Sequence, residues 1–475
     1  MYIKKKTKII ATIGPACFSY DRIKKMIISG VNVCRLNFSH INHEDALKII
    51  SIIRRINNEI DTKTAILGDL QGPKIRLGNV KKNITLKSGK QINLTNQNCE
   101  SCDKILFIDY NKLTTDLKYN DIVLIDDGKI KLRVNKISKD ILTCDIINGG
   151  KLYSKKGVNF PNTELNLQST TKKDRADLNF LIKNKVDWVA LSFVRTSKDI
   201  TSIREILNKK NSDIKIIAKI EKPEAVKNIK SITRSSDGIM IARGDLGIEI
   251  PMQKVPIVQK KIIKLCLNYS KPVVVATQLM EGMINNSLTT RAETNDVANA
   301  VFDGADALML SGETAVGKYP IKVVRAMTKI ILSVESSSLN LRSKLILTQK
   351  KANERYISDS ICFYASELVD QVQSNAIITL THSGYNAQKI ASNRPNAFIY
   401  VFTHNKKILS SLSLYWGIYV FYYDKFNSTD DTIRDLHDFL KKKRILKSGQ
   451  IALNIGSMPI REKGMTNMLK VGKVK

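Results

Sequence analysis

Short apolar runs rich in Ile and Val recur along the chain, and each ends in a polar or glycine-bearing turn. Most are separated by longer stretches with helical spacing, such as residues 21–30, which end at a glycine. Continuous apolar runs are typical of strands buried on both faces of a parallel sheet. The pattern predicts eight such strands, at residues 8–13, 32–38, 64–70, 186–193, 214–221, 238–242, 272–277 and 305–311. Eight strand–helix units indicate an α/β protein built on a (β/α)8 TIM barrel.

The repeating pattern is interrupted once, after the third predicted strand. No helix-length segment appears between Leu70 and about Lys172, where short pieces alternate apolar and polar residues between Gly, Asp and Asn. This predicts a small all-β domain inserted into the barrel as a lid. A polar stretch at 335–354 then precedes new strand–helix units, with strands near 376–381, 398–403, 418–423 and 450–455. We therefore expect barrel segments at 1–70 and 169–345, the β domain at 71–168 and a C-terminal α/β regulatory domain at 346–475.

The composition supports a large folded protein with several domains. The chain has 475 residues, of which 43% are hydrophobic, and this exceeds what one core usually organises. Its net charge of +33 comes from 77 Lys and Arg against 44 Asp and Glu. Such an excess often indicates nucleic acid, membrane or anionic substrates. Here the basic residues are scattered without interleaved aromatic residues, so we attribute the charge to composition bias and expect no specific nucleic-acid partner.

Cysteine usage and hydropathy indicate a cytoplasmic protein without a membrane partner. The seven cysteines are scattered, so they predict no complete disulfide framework. Cys99 and Cys102 form a lone C-x-x-C without the second pair that a zinc site needs. The N-terminal apolar run is too short for a signal sequence, and no apolar stretch approaches the length of a membrane span.

Polar residues follow most of the predicted barrel strands at their carboxyl ends, where barrel enzymes place their chemistry. No Cys–His or Ser–His pair is evident there, which disfavours covalent acyl chemistry. Phosphoryl transfer instead needs cations to offset oxygen charge and carboxylates to hold Mg²⁺. Each residue alone has an ordinary structural explanation, but their number on one rim favours function. The rim residues are Arg35, Asn37, Ser39, His40, Asp69, Gly72, Lys74, Arg76, Lys219, Glu221, Arg243, Gly244, Asp245, Thr277, Ser311 and Glu313.

Seven segments, in this order and spacing, resemble the pyruvate kinase family, and in particular its bacterial branch with a GPKIR motif. They are NVCRLNFSH (32–40), ILGDLQGPKIR (66–76), KKGVNFP (155–161), IAKIEKPEAV (217–226), GIMIARGDLGIEIP (238–251), VVVATQLMEGMI (273–284) and TRAETNDVANAVFDGADALMLSGETAVGKYP (290–320). The resemblance implies transfer of the phosphoryl group of phosphoenolpyruvate to ADP, giving pyruvate and ATP in the final step of glycolysis. It also implies a homotetramer.

The resemblance implies specific roles at the reacting phosphoryl group. Lys219 would stabilise its charge in the transition state, and Arg35 would contact the phosphate of phosphoenolpyruvate. Glu221 and Asp245 would hold Mg²⁺ or Mn²⁺. Lys219 and Glu221 are two residues apart on one strand, so both side chains point to the same face.

The substrate carboxylate would be held by the backbone N–H groups of Gly244 and Asp245 and by the hydroxyl of Thr277. Unpaired N–H groups at the start of a helix suit an anion. Thr277 and Ser311 are also candidates for the later protonation of enolpyruvate, and the sequence does not choose between them and a water molecule.

The resemblance assigns the nucleotide phosphates to Arg76 and to Lys156 in the inserted domain. The loop of Asn37, Phe38, Ser39 and His40 would lie nearby. Because Lys156 belongs to the inserted domain, we expect this domain to act as a lid that excludes water from the transfer.

The resemblance also implies a potassium site. Asn37, Ser39, Asp69 and the carbonyl of Leu70 would supply its oxygen ligands. Family members that need K⁺ commonly carry Glu where this chain has Lys74. The ammonium of Lys74 would then replace K⁺, unless the side chain points to solvent as most lysines do.

Two further departures from the family concern loops. Thr289 stands where Pro is common, before Arg291. THSGYNA (381–387) resembles the loop that binds a sugar-phosphate or AMP effector, but Tyr385 and Asn386 replace residues that are more often basic or small.

Two other functions stay open: a nucleic-acid-binding protein with an inactive barrel, and an aldolase-type lyase that handles phosphoenolpyruvate or oxaloacetate.

Overall fold

The computed structural model describes residues 3–81, 84–161, 163–165, 170–337, 355–425, 428–459 and 466–475. Eight parallel strands close into a barrel, as the sequence predicts. In chain order they are Lys8–Thr12, Val33–Asn37, Ala65–Asp69, Trp188–Leu191, Lys215–Ile220, Gly238–Ala242, Val273–Ala276 and Ala307–Leu310. All but one are one to four residues shorter than predicted, at one or both ends.

Both faces of the barrel strands are buried, which explains their continuous apolar sequences. Ile10, Leu67 and Met240 point into the barrel, whereas Ile9 and Ile66 pack against the surrounding helices. These helices are Tyr20–Ile28, His43–Glu59, Lys172–Lys183, Ser197–Lys209, Pro223–Lys227, Ile229–Ser235, Arg243–Glu249, Val255–Asn268, Arg291–Phe302, Gly312–Ala315 and Pro320–Glu335, with short 3₁₀ turns at Met252–Lys254 and Glu281–Ile284.

Two of the barrel helices begin at capping boxes. Thr171 and Thr290 each accept a hydrogen bond from the third helical residue, whose carboxylate bonds back to the cap. Such capping boxes pair two otherwise unsatisfied N–H groups and fix the residue at which the helix starts. Helix Arg291–Phe302 therefore starts in place although Thr289 stands where Pro is common.

The inserted domain follows the third barrel strand and has its own apolar core. Its main sheet has the order Val158–Asn159, Ile122–Ile125, Ile130–Ile137, Ile141–Asn148, Gln91–Thr95 and Ile105–Phe107. Thr85–Leu86 pairs with Gly150–Lys151, and Leu113–Asp116 forms one helical turn. The predicted boundary at 168 lies outside the described residues.

A second α/β domain follows the barrel, with the sheet order Ile418–Tyr422, Phe398–Thr403, Ala376–Leu380, Ile451–Gly456 and Met468–Lys473. Its helices are Tyr356–Gln371, Tyr385–Ser392 and Thr429–Lys442, with 3₁₀ turns at Lys406–Ile408 and Ser411–Leu414. The antiparallel last strand was not predicted, because none of its residues is buried and it lacks an apolar run. The predicted boundary at 345 lies outside the described residues.

The C-terminal domain packs on the amino-terminal end of the barrel, opposite the rim. A buried ion pair joins Arg394 to Asp306 at 2.9 Å, and Trp188 inside the barrel donates to the carbonyl of Ser411 at 3.1 Å. These contacts leave the carboxyl rim of the barrel to the inserted domain. Over the ranges that the structure describes, no helix is both long and apolar enough to cross a membrane.

Candidate active site

A lysine whose side chain is only 11% exposed lies at the centre of the rim, where the fifth barrel strand ends. The Lys219 ammonium is 2.9 Å from Glu221 Oε1, 3.3 Å from Asp69 Oδ1 and 2.7 Å from the Ser192 hydroxyl. The side chains of Asp69 and Glu221 are each only 1% exposed. Since strands three, four and five are neighbours in the barrel, their carboxyl ends bring these residues to one place.

The electrostatics of this cluster keep its charges in place. Burial by itself lowers the pKa of Lys219, but the carboxylates of Asp69 and Glu221 outweigh burial and raise it. Burial likewise opposes ionisation of Asp69, yet Lys219 and Arg35 lower the pKa of that carboxyl. Lys219 is therefore a fixed cation at neutral pH.

Arg35 supplies a second buried cation beside the first. Its Nε donates to Asp69 Oδ2 at 2.7 Å, and one terminal nitrogen donates to the Thr12 hydroxyl at 2.9 Å. Both partners come from neighbouring strands, so the guanidinium has a fixed direction. Asp69 thus holds two cations, Arg35 and Lys219, on the same part of the rim.

Glu221 and Asp245 form the carboxylate pair of the predicted metal site. Glu221 Oε2 accepts from the Phe193 N–H at 2.7 Å. Burial, reinforced by the negative charge of Asp245 and opposed by Lys219, raises the pKa of Glu221. Among the described residues, no three His, Cys, Asp or Glu side chains are grouped as a metal site. Two carboxylates still fit Mg²⁺, which commonly takes its other ligands from water and substrate phosphates.

The end of the seventh strand is strained and is held by an arginine. Thr277 and Gln278 have φ angles of 67° and 54°, which residues other than glycine seldom adopt. Arg243 donates to both of their carbonyls, at 2.9 and 3.0 Å, and pairs through two nitrogens with Asp296, each at 2.7 Å. The Gly244 N–H donates to the Thr277 hydroxyl at 2.8 Å. Thr277 is thereby fixed beside the start of helix Arg243–Glu249.

The residues predicted to hold the nucleotide lie at the junction of barrel and inserted domain. A terminal nitrogen of Arg76 donates to the Lys155 carbonyl at 3.0 Å. Lys156 is half-exposed and pairs inside the inserted domain with Asp126 Oδ1 at 2.8 Å. The structure thus places Arg76 beside the segment that carries Lys156.

The loop after the second strand reaches the same region. Asn37 Oδ1 accepts from the Ser39 N–H at 3.2 Å, and Phe38 is buried. Partial burial, together with the nearby positive charges of Arg76, Arg35 and Lys74, lowers the pKa of His40. His40 therefore lies within electrostatic reach of Arg76 and Lys74, whereas the Phe38 side chain packs in the core.

The predicted potassium ligands lie close to the lysine cluster, but Lys74 does not join it. The Leu70 carbonyl accepts from the Ser192 hydroxyl at 2.7 Å, and Asp69 pairs with Arg35 and Lys219. Lys74 is exposed, and its ammonium would lie 3.9 Å from a Cβ atom added to Gly157 of the inserted domain. Within the described part of the chain, it pairs with no carboxylate.

Three side chains at the site were missed by sequence reasoning: Thr12, Ser192 and Asp296. Thr12 and Ser192 lie at the ends of strands one and four, where the rule that polar residues follow barrel strands would have found them. Asp296 lies within a helix, and no sequence signal pairs it with Arg243. Of the two hydroxyls considered for protonation, Ser311 Oγ is buried without a hydrogen-bond partner among the described residues.

The barrel, its inserted domain and a rim with two buried cations and a carboxylate pair define a multidomain barrel protein of the phosphotransferase type. Comparison with known proteins identifies the family. The family model "Pyruvate kinase, barrel domain" matches residues 4–324, and "Pyruvate kinase, alpha/beta domain" matches residues 359–472. The chain therefore belongs to the pyruvate kinase family.

Individual relatives agree with this assignment. A pyruvate kinase from Geobacillus stearothermophilus is 40% identical over 474 residues, which cover 99% of this chain and 80% of the relative. A pyruvate kinase from Staphylococcus aureus is 38% identical over 470 residues, covering 98% and 80%. A crystal structure of a pyruvate kinase from Cryptosporidium parvum superposes with a TM-score of 0.92 at 32% identity, covering 99% of this chain and 96% of that one.

Proposed function

We propose that this protein transfers the phosphoryl group of phosphoenolpyruvate to ADP, giving pyruvate and ATP as the last step of glycolysis in the cytoplasm. The observation that carries the proposal is the largely enclosed Lys219 ammonium, which lies between buried Asp69 and Glu221 and the Ser192 hydroxyl. A preorganised cation in a poorly hydrated site stabilises charge that develops on a transferring phosphoryl group. Membership of the pyruvate kinase family supports the same reaction.

In this proposal Glu221 and Asp245 hold Mg²⁺ or Mn²⁺, and Arg35 binds the phosphate of phosphoenolpyruvate. The metal ion, when bound, supplies positive charge to the phosphoryl oxygens. Lys219 adds a second positive charge, and its contacts with Asp69 and Glu221 fix where that charge lies. The protein thus contributes position and electrostatics rather than a covalent intermediate.

The substrate carboxylate would lie beside Thr277 and the N–H groups of Gly244 and Asp245. In the structure the Gly244 N–H donates to the Thr277 hydroxyl. A bound carboxylate would accept from the same N–H group and would lie beside this hydroxyl. Thr277 and Ser311 remain candidates for delivering the proton to enolpyruvate, directly or through water.

The nucleotide phosphates would be gripped by Arg76 and Lys156, with the loop from Asn37 to His40 beside them. To reach a phosphate, Lys156 would exchange its pairing with Asp126 for the ligand. The inserted domain would then act as a lid. We propose division of the chain at residues 70, 168 and 345, and a homotetramer by analogy with the family.

The C-terminal domain would bind a sugar-phosphate or AMP effector, if any, through Thr381, Ser383 and the backbone of Gly384. Gly384 has a φ of 86°, and its N–H donates to the Thr381 hydroxyl at 2.9 Å. Tyr385 does not face such a ligand with its hydroxyl, which donates to buried Asp359 at 2.6 Å.

The experiment that tests the main proposal is an assay of pyruvate formation from phosphoenolpyruvate, with and without ADP and with and without Mg²⁺. We expect pyruvate only when both are present. Pyruvate formation without ADP would indicate lyase or hydrolase chemistry instead. No activity, together with salt-dependent DNA or RNA binding in gel shifts, would favour the nucleic-acid-binding alternative.

A further inference from the structure

Glu249 connects the inserted domain to the barrel through one oxygen atom. Its Oε1 accepts a hydrogen bond from Asn159 Nδ2 at 2.7 Å and pairs with Lys222 Nζ at 2.6 Å. The side chain of Glu249 is 1% exposed and that of Lys222 is 13% exposed. Water therefore screens this contact little, and the loss of one partner would leave the buried Glu249 Oε1 with only the other.

On the inserted-domain side, Asn159 belongs to the segment that carries the proposed nucleotide ligand Lys156. It ends the strand Val158–Asn159, which pairs with the strand Ile122–Ile125 of the main sheet. Two residues earlier, Gly157 forms a bridge with Arg76. A hydrogen bond at Asn159 thus restrains the backbone that carries Lys156.

On the barrel side, Lys222 and Glu249 lie close in sequence to the carboxylates proposed to hold the metal ion. Lys222 directly follows Glu221, and Glu249 ends the short helix in which Asp245 is the third residue. The Oε1 atom of Glu249 therefore joins three segments, each of which carries one group of the proposed site. Glu249 Oε2 is also buried, and no described residue donates to it, so every described hydrogen bond of this carboxylate is made through Oε1.

We propose that Glu249 is a positioning residue that sets the distance between the inserted domain and the metal-binding carboxylates. Through its hydrogen bond with Asn159, Glu249 fixes the strand next to Lys156 relative to Glu221. The ion pair with Lys222 orients the Glu249 carboxylate. Among the described residues, the hydrogen bonds of Glu249 go to Asn159 and Lys222 and none goes to Arg35 or Thr277, so loss of the Asn159 contact should weaken the use of ADP more than that of phosphoenolpyruvate. This inference rests on the proposed kinase function.

The first test is Asn159→Asp, which sets two carboxylates against each other at this contact. We expect the KM for ADP to rise about tenfold, while the KM for phosphoenolpyruvate stays within about twofold. Adding Glu249→Gln restores a hydrogen bond between an amide and a carboxylate, with the amide of residue 249 now donating to the carboxylate of residue 159. The double variant should therefore recover most of the lost ADP affinity. Asn159→Ala, which only removes the donor, should show a smaller effect in the same direction and serves if the charged variant does not fold.

The matched control is Gln91→Ala. Gln91 also donates an amide hydrogen to a carboxylate, Asp145 at 2.9 Å, but entirely within the inserted domain. This variant should leave both KM values unchanged. The positioning role would be overturned if Asn159→Asp raised both KM values equally, or if Gln91→Ala raised the KM for ADP as much as Asn159→Asp does. It would also be overturned if the double variant recovered no ADP affinity. If the wild-type protein forms no pyruvate, the proposed function fails before any variant is compared.

Discussion

The Lys219 ammonium and the Glu221 carboxylate form a buried ion pair of 2.9 Å at the end of one barrel strand. The two residues lie on opposite sides of the strand's last residue, Ile220, so both point towards the rim. Asp69 approaches the same ammonium from a strand that is not an immediate neighbour. The Ser192 hydroxyl at the end of strand four is the third contact, so groups from three strand ends fix the position of the Lys219 charge.

Replacement of Lys219 by Met should abolish most of the proposed phosphoryl transfer while leaving the fold intact. One preorganised donor at a developing charge is typically worth roughly a hundredfold to a thousandfold in rate. Asp69 keeps Arg35 and Glu221 keeps the Phe193 N–H, so neither carboxylate loses all its partners. The check is turnover in a coupled assay beside thermal unfolding.

The matched control is Lys215→Met, at the opposite end of the same strand. It should leave turnover within about twofold of the wild type, since nothing at the rim changes. A Lys219→Met variant that folds and retains more than about a tenth of wild-type turnover would remove Lys219 from its proposed role.

Glu221→Gln and Asp245→Asn should each raise the Mg²⁺ concentration needed for half-maximal activity. Each change removes an anionic oxygen ligand from a hard cation. The control is Asp237→Asn, which alters a carboxylate at the other end of the strand Gly238–Ala242, where it pairs with Arg204 at 2.5 Å. If the double variant showed the same Mg²⁺ dependence as the wild type, the metal site would lie elsewhere.

The predictability of this protein from sequence differs between its parts. The barrel was predictable because strands with two buried faces leave continuous apolar runs, whereas the half-exposed strand Met468–Lys473 leaves none. Lys219 and Glu221 share a strand, so their convergence follows from spacing. The contact between Asn159 and Glu249 joins residues 90 positions apart, and only the fold brings them together.

Buried Lys8 makes the stability of the fold depend on pH. The basic N-terminus gives no sign of burial in the sequence, yet the Lys8 side chain lies between barrel and C-terminal domain, donating to the Ile418 carbonyl at 2.7 Å. Burial, opposed by Glu335 and Asp306, lowers the pKa of Lys8 to about 7. In the unfolded chain it stays protonated to about pH 10.4.

Between these pH values the unfolded state binds more protons, so the free energy of unfolding should rise with pH. Lys8→Met should reduce the slope of the free energy of unfolding against pH by up to about 1.4 kcal/mol per pH unit between pH 7 and 9. Urea unfolding at several pH values measures it, with Lys25→Met on an exposed helix face as the control. An unchanged slope in Lys8→Met would mean that Lys8 stays charged in the folded protein.

The last prediction is that the enzyme is largely independent of K⁺ although Asn37, Ser39, Asp69 and the Leu70 carbonyl are all present. The charge of Lys74 reaches this loop, since Lys74 is among the cations that lower the pKa of His40. In the structure the Lys74 side chain is exposed and lies along Gly157, so it would have to turn towards the loop as the inserted domain moves. A second cation near its ammonium would then meet repulsion and gain little from binding.

The measurement is activity in tetramethylammonium chloride against KCl at equal ionic strength. Activation by K⁺ of more than about tenfold, equivalent to about 1.4 kcal/mol, would contradict the prediction.

Lys74→Glu separates the two explanations of a K⁺-independent enzyme. If the ammonium substitutes for K⁺, this variant should lose activity in tetramethylammonium and regain it in KCl, because a carboxylate leaves the oxygen ligands without a cation. If Lys74 remains in solvent throughout the reaction, the variant should gain no K⁺ dependence, and Lys74→Met should behave like the wild type in both salts.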